Sequence, residues 1–367
     1  MPRFIKKYLE KNVYEMAKDR IKYVINIFDQ IWVSFSGGKD SLTVLKLLEE
    51  VYHELGITEK INVIFRDEEL IQDDVIKFVD SMYRSGKYNF RYYAVQQQSQ
   101  KYVLGKLETY IQWDENRKWL RSKPEYSIKG DGKIVFSQLN MEKYMLGDIP
   151  GKIALLNGIR ADESLIRYRS CIAKEYDNYI CNTKYNPVQF IKPIYDWTEK
   201  DVFKYFHDKE IQYCTTYDVQ AINGQALRVA TPLLAESAKQ FHKLRTAYPT
   251  FYQQVVDIFP EMLLQERYFK ELDRYSILNK YEHSWDGIVR MIKNLYPDAI
   301  QQNKMISYVK SCRSIRNNKM KQGSINLGGY PLLHVFKAVI NGGKQRIQAK
   351  LKPSKADLQF EGIIKGV

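Results

Sequence analysis

Cysteine is scarce: four thiols, Cys171, Cys181, Cys214 and Cys312, are spread over 367 residues. That excludes a disulfide framework. No C-x-x-C pair exists, and Cys171 to Cys181 is too wide for a usual zinc half-site. No iron–sulfur cluster is expected, because the spacing does not favour one. The five histidines form no H-E-x-x-H or similar order. Long apolar runs are missing too. No stretch of about 18 apolar residues occurs, which excludes a membrane-spanning helix. The basic start, Met1 to Glu10, is followed by no apolar segment of the secretory kind, so a reducing cytoplasm is the expected setting. Internal repeats and low-complexity tracts are absent.

What is present suits a full globular core: 44% of residues are hydrophobic and 13% aromatic. The length suggests roughly two domains. Charge is unevenly placed. From Gln301 onward thirteen lysines and arginines face only Asp357 and Glu361, so +11 of the net +14 lies there. Such an excess reads either as a footprint for a polyanion or as a solvated basic tail. Lys344, Arg346, Lys350, Lys352 and Lys355 cluster beside Gly342-Gly343 and are the candidate nucleic-acid contacts. A partner protein or a second copy of the chain is the other expected occupant.

Periodicity organises the first half. Pro2 to Asp29 has helical spacing, Ile31 to Phe35 reads as a strand, and Leu42 to Leu55 as a helix. Ile61 to Phe65, Val75 to Met82 and Phe90 to Val95 repeat strand, helix, strand. This alternation predicts an α/β fold: a parallel, Rossmann-like sheet with helices on both faces. Gln96 to Pro150 interrupts it as an aromatic, polar insertion. Strands resume at Lys152 to Leu156 and Phe190 to Ile194, and Thr198 caps a helix through Phe206. From Leu233 to Tyr308 the pattern is helical. The expected organisation is a nucleotide-binding domain over 1–232, with an insertion at about 96–150. A helical region over 233–310 and a basic region over 311–367 follow.

The most specific feature is Ser36-Gly37-Gly38-Lys39-Asp40-Ser41, between a strand and a helix. Paired glycines let backbone amides approach a ligand, and the helix start offers unpaired N–H groups and the positive dipole end. Lys39 adds a charge expected to reach solvent, and Ser36 and Ser41 add hydroxyls. This is a phosphate cradle. It is not a Walker A loop, since no glycine precedes Gly38-Lys39 at that spacing and Asp40 follows the lysine. Arg160 follows a predicted strand on the side where open sheets bind ligands. Its guanidinium can fork onto a phosphate or sulfate, or pair with Asp162 or Glu163.

Ser36 to Ser41 resembles the SGGxDS loop of the N-type ATP pyrophosphatases, in particular the phosphoadenosine phosphosulfate (PAPS) reductase and small-subunit ATP sulfurylase branch. Gly158-Ile159-Arg160-Ala161-Asp162-Glu163-Ser164 is similar to that branch's loop after the fourth strand. Ile191 to Val202, with Pro193, Trp197, Thr198 and Asp201, is similar to its strand-to-helix segment. Trp113, Trp119-Leu120-Arg121 and Leu227-Arg228-Val229-Ala230 resemble a sub-branch linked to transcriptional co-activation. The resemblance implies an adenine nucleotide alpha hydrolase-like fold followed by a helical C-terminal region. It also implies ATP or PAPS, with Mg2+ carried on the nucleotide. The residues implied as nucleotide contacts are Ser36 to Ser41, Asp67, Gly158, Arg160 and Glu163, with Lys39 and Arg160 in the catalytic role. Arg167, Arg169, Trp113, Trp119 and Arg121 are the candidate substrate contacts. Arg167 and Arg169, two apart, cannot both face inward on a helix. The tail cysteine of the redox-active reductases is missing. The expected activity is ATP cleavage to AMP and pyrophosphate, with adenylyl transfer to an oxyanion or nucleic acid. A PAPS reductase or sulfurtransferase, and a non-catalytic nucleotide-sensing regulator, are the alternatives.

Overall fold

The computed structural model describes residues 9–104, 106–137, 140–172, 179–183, 185, 187–268, 276–320, 327–340, 349–350 and 352–364. The chain forms two compact units, Leu9–Phe269 and the remainder.

In the first unit, strands β1 (Gln30–Phe35), β2 (Asn62–Arg66), β3 (Asn89–Tyr93), β6 (Ile153–Leu156), β7 (Ile180–Asn182) and β8 (Val188–Ile191) form one sheet. Its order is β3-β2-β1-β6-β8-β7. Neighbours run parallel except β7, which is antiparallel to β8. Register places Val33 beside Val63 and also beside Leu156.

Side chains alternate along these strands, so each face has its own core. On one face Val33, Phe35, Val63 and Ala154 pack with helices α1 (Val13–Ile27), α2 (Lys39–Glu54) and α6 (Glu199–Asp208). The same core includes Val75 and Val79 of α3 (Asp73–Arg84). On the other, Trp32, Ile64 and Leu155 meet Phe136 and the short helix α4 (Met141–Leu146). The helix expected over 2–29 starts only at Val13, because Asn12 closes a capping box with Glu15. Residues 1–8 lie outside the described ones.

The insertion holds an antiparallel hairpin, β4 (Gln97–Val103) and β5 (Lys106–Gln112). Tyr110 and Val103 of the hairpin share a separate core with Phe241, Phe251, Val255 and Phe259. The Pro193 to Asp201 segment is a clasp. Arg20 of α1 forks onto Asp196 at 2.8 and 2.6 Å, Trp197 Nε1 donates to Val13 O at 3.0 Å, and Thr198 caps α6.

The second unit includes the long helix Ala299–Met320, whose buried stripe is Met305, Val309, Cys312 and Arg316. Arg316 is forked onto Glu361. Among the described residues no helix is long and apolar enough to cross a membrane.

Candidate functional site

The strand order changes direction between β1 and β6, and ligands in open α/β sheets bind beyond the carboxyl ends of strands at such a point. Both glycine loops lie there: Ser36 to Gly38 leaves β1, and Gly158 to Arg160 follows β6.

The first loop is braced internally. Ser36 N–H donates to Ser41 Oγ at 3.1 Å, the two hydroxyls are 3.0 Å apart, and Ser41 Oγ–H donates to Gly38 O at 3.0 Å. Gly37 has φ +72°, and a Cβ there would stand 2.7 Å from Val75 Cγ1, so only glycine serves both the turn and the α3 contact. The amides of Gly37, Asp40 and Ser41 have no hydrogen-bond partner among the described residues. They are donors at the positive end of a 16-residue helix.

Gly158 seats the second loop against the first. A Cβ on it would be 2.4 Å from Asp40 C and 2.7 Å from Ser41 N. Arg160, only 3% exposed, then ties the loops together. Its Nε donates to Asp40 Oδ1 at 2.7 Å and its Nη1 to Asp162 Oδ1 at 2.7 Å. Glu163 accepts from Arg160 N at 3.2 Å and pairs with Arg167. On helix α5 (Leu165–Ile172) Arg167 is half-buried and Arg169 exposed, as their two-residue spacing requires. Burial, opposed by Asp40 and reinforced by the like charges of Arg228 and Arg160, lowers the Arg167 pKa.

Lys39 departs from expectation. Instead of reaching solvent it is 3% exposed, with Nζ donating to Leu227 O at 2.7 Å and lying 3.3 Å from Asp40 and 3.4 Å from Glu199. Its N–H donates to the Tyr217 hydroxyl at 2.7 Å, and burial pushes that phenol's pKa up. The cause is the Leu227 to Val229 segment, which covers the helix start: Val229 Cβ lies 3.7 Å from the point where a Cβ on Gly38 would stand.

The acids after β2 are anchors for the insertion. Asp67, 1% exposed, accepts from Glu69 N, the Tyr92 hydroxyl and Arg121. Its carbonyl accepts from Trp113 Nε1 at 2.8 Å. Glu69, fully buried with φ +62°, takes Arg117 in a fork at 2.7 and 2.6 Å and Trp113 N–H at 2.6 Å. The implied nucleotide contact at Asp67 is therefore a carboxylate already filled by protein donors. Trp113 is fully buried and meets Trp119 edge to face at 5.6 Å, so it packs rather than offering a stacking face. Arg121 is spent on Asp67. The sequence signal that could have shown this is the pairing of acids at 67 and 69 with Arg117 and Arg121 around the tryptophans.

Elsewhere, a hollow of about 800 Å³ is rimmed by Glu49, Glu50 and Glu54, far along α2 from the loop. Lys46 and Lys209 also line it, and these glutamates are paired with lysines: Glu49 with Lys46, Glu50 with Lys209 and Glu54 with Lys22. Cys171, Cys214 and Cys312 are buried, and burial raises their thiol pKa values, the last two to about 11. In the second unit Lys350 pairs with Asp357 at 2.6 Å, while Lys352 and Lys355 are exposed. Lys344 and Arg346 lie outside the described residues.

Residues 30–223 match the phosphoadenosine phosphosulfate reductase domain. The chain is also similar to the uncharacterized protein YbdN of Escherichia coli (strain K12), 26% identical over 236 residues. That match covers 60% of this chain and 58% of YbdN, so the likeness spans under two thirds of the relative's length. Among solved structures, it is similar to the FMN adenylyltransferase of Candida glabrata in complex with ATP. The TM-score is 0.38 and the identity 15%, over 56% of this chain and 57% of that one. It is also similar to the phosphoadenylyl-sulfate reductase of Candida auris in its phosphate complex. There the TM-score is 0.32 and the identity 12%, over 58% of this chain and 93% of that one.

Proposed function

We propose that this chain, which belongs to the phosphoadenosine phosphosulfate reductase domain family, splits ATP between its α- and β-phosphates and transfers the adenylyl group to an oxyanion acceptor. The carrying observation is the trio of unclaimed amides, Gly37, Asp40 and Ser41, at a helix start in the sheet's switch-point crevice. Those donors, with the Ser36 and Ser41 hydroxyls, suit the pyrophosphate end of the nucleotide. An acceptor oxygen attacks the α-phosphorus; the new P–O bond forms as the α–β bridge breaks, and pyrophosphate leaves into the loop.

Lys39 and Arg160 act in this reading as positioning residues. Lys39 places a buried cation under the loop, and Arg160 holds Asp40 so that the amide array keeps its shape. Magnesium belongs to the nucleotide here. Asp40 is already paired with Arg160 and Lys39, and among the described residues no group of His, Cys, Asp or Glu forms a metal cradle.

Thiol chemistry on PAPS is disfavoured at Cys171, Cys214 and Cys312 by their burial; Cys181 is partly exposed and its Sγ accepts from Lys192 Nζ at 3.1 Å. A nucleic-acid acceptor is the second reading, favoured by the exposed Lys352 and Lys355. The test is pyrophosphate release from ATP by the full chain, alone and with small carboxylates, sulfate, tRNA or duplex DNA. Acceptor-dependent release supports adenylyl transfer. Nucleotide binding without release under every condition would replace it with a sensing role.

A further inference from the structure

The long helix Ala299–Met320 of the second unit carries five basic residues and no acidic one. Its stripe of Met305, Val309, Cys312 and Arg316 is buried and faces inward. At 3.6 residues per turn, the opposite side is the row Asn303, Ser307, Ser311, Ser314 and Asn318, and all five are exposed. Lys304 and Lys310 are exposed on the two flanks of that row.

This face is poorly suited to water alone. Solvated helix faces gain stability from acid–base pairs three or four residues apart, and serine and asparagine are weaker helix formers than glutamate or lysine. The helix has no acid with which to make such a pair. Its surroundings supply none to Lys304 or Lys310, because each acid described in the second unit is already taken. Glu282 is held by Arg290, Asp357 by Lys350 and Glu361 by Arg316, and Asp286 lies 3.8 Å from Arg313. Asp298 accepts from the amides of Ile300 and Gln301 at the helix start. Lys304 and Lys310 are therefore cations without a carboxylate partner among the described residues, on either side of a row of small polar side chains.

We propose that this face is a docking surface for duplex DNA, seated in the major groove. Shape and charge together select the occupant. A membrane surface requires apolar side chains turned outward, and here the apolar stripe is turned in. The major groove of B-form DNA admits an α-helix, and 22 residues extend about 33 Å along it. Short serine and asparagine side chains let the helix backbone come close to base edges, with which both residue types hydrogen-bond. Lys304 and Lys310 then reach phosphates on the two walls of the groove. The deep, narrow major groove of duplex RNA does not admit the helix in this way. The surface is separate from the lysines at 344–355, and the inference stands or falls without adenylyl transfer.

Fluorescence anisotropy of a labelled DNA duplex with the full chain tests it, with duplex RNA of the same sequence and polyglutamate as competing probes. Two paired variants alter the face: Ser307→Glu with Ser314→Glu, and Lys304→Gln with Lys310→Gln. The glutamates bring like charge against the phosphates and should weaken DNA binding by about tenfold or more. Exposed positions and a better helix former keep the melting temperature at the wild-type value. The glutamine pair should make the slope of log affinity against log salt shallower than wild type by about 1.8, the worth of two phosphate contacts. The difference between variant and wild type is the readout, whatever other cations add to the total slope. Methyl green, which occupies the major groove, should displace the protein, and duplex RNA should compete poorly. No DNA binding at low salt overturns the proposal. So does binding that both paired variants leave unchanged while Lys352→Gln with Lys355→Gln abolishes it. Polyglutamate that competes as well as DNA, and is lost in the same variants, would make the face a dock for an acidic protein instead.

Discussion

Gly158→Ala probes the contact on which the crevice depends. The added methyl would sit 2.4 Å from Asp40 C, 2.7 Å from Asp40 O and 2.7 Å from Ser41 N. These are backbone atoms at the start of α2, so a side-chain rotation cannot relieve the overlap. The β6 loop must move away from the glycine loop. Overpacking of this kind costs about 1–3 kcal/mol. In a unit of this size each kcal/mol lowers the melting temperature by roughly 2–4 °C, which gives a fall of about 2–12 °C. The same movement draws Arg160 from Asp40, so ATP affinity should fall with stability. Calorimetric melting and titration with ATP read the two effects separately. Gly56→Ala is the control: φ is +67° but nothing lies within 4 Å, so it bears only a backbone cost of about 1 kcal/mol and keeps its ATP affinity. Wild-type melting and affinity in Gly158→Ala would refute the claim that the two loops meet through a glycine.

Glu69→Gln leaves Arg117 facing a neutral amide in a largely buried fork, and should cost about 3 kcal/mol; an unchanged melting curve would show the insertion is anchored elsewhere. Burial alone would raise the Asp357 pKa, but hydrogen bonds from Lys350 and Ser354 outweigh it and hold the group below the usual carboxylate range. Its stabilising effect is present above the unfolded value, near 3.9, and is lost as pH falls through the lower folded value. Asp357→Asn should flatten the acid limb of an unfolding curve; an identical limb contradicts this. If Lys344, Arg346, Lys352 and Lys355 each neutralise one phosphate of duplex DNA, log affinity against log salt should have a slope of roughly −3.6. Lys350 is left out because Asp357 already holds it. A full-length protein indifferent to DNA at low salt would mark the region as a solvated tail.

The parallel sheet was legible because its strands are short apolar runs separated by helical periods, and Val33, Val63 and Leu156 fall in register as that pattern requires. The glycine loop was legible for the same reason, being punctuation between Phe35 and Leu42. Edge strand β7 was not. It has three residues, Ile180–Asn182, and pairs on one side only, so it carries no period to detect. The hairpin inside the insertion was hidden because Gln97–Val103 and Lys106–Gln112 are mostly polar, and most of their apolar partners lie at residue 233 and beyond. Side-chain roles were harder still. Nothing local says that Lys39 will be covered, because Leu227 lies 188 positions away. Asp67 was implied as a nucleotide contact only by the family resemblance, which places such contacts after the second strand. Its satisfaction by Arg121 and Tyr92 is a tertiary fact.

The central claim is that the pyrophosphate end of ATP rests on the amides of the first glycine loop. Amide-resolved NMR of the 15N-labelled full chain tests it most directly, titrating ATP, inorganic pyrophosphate and adenosine in turn. The account predicts that the Gly37, Asp40 and Ser41 resonances shift with ATP and with pyrophosphate, and stay in place with adenosine. Resonances that ignore both phosphate ligands, while ATP binds elsewhere in the chain, would contradict it.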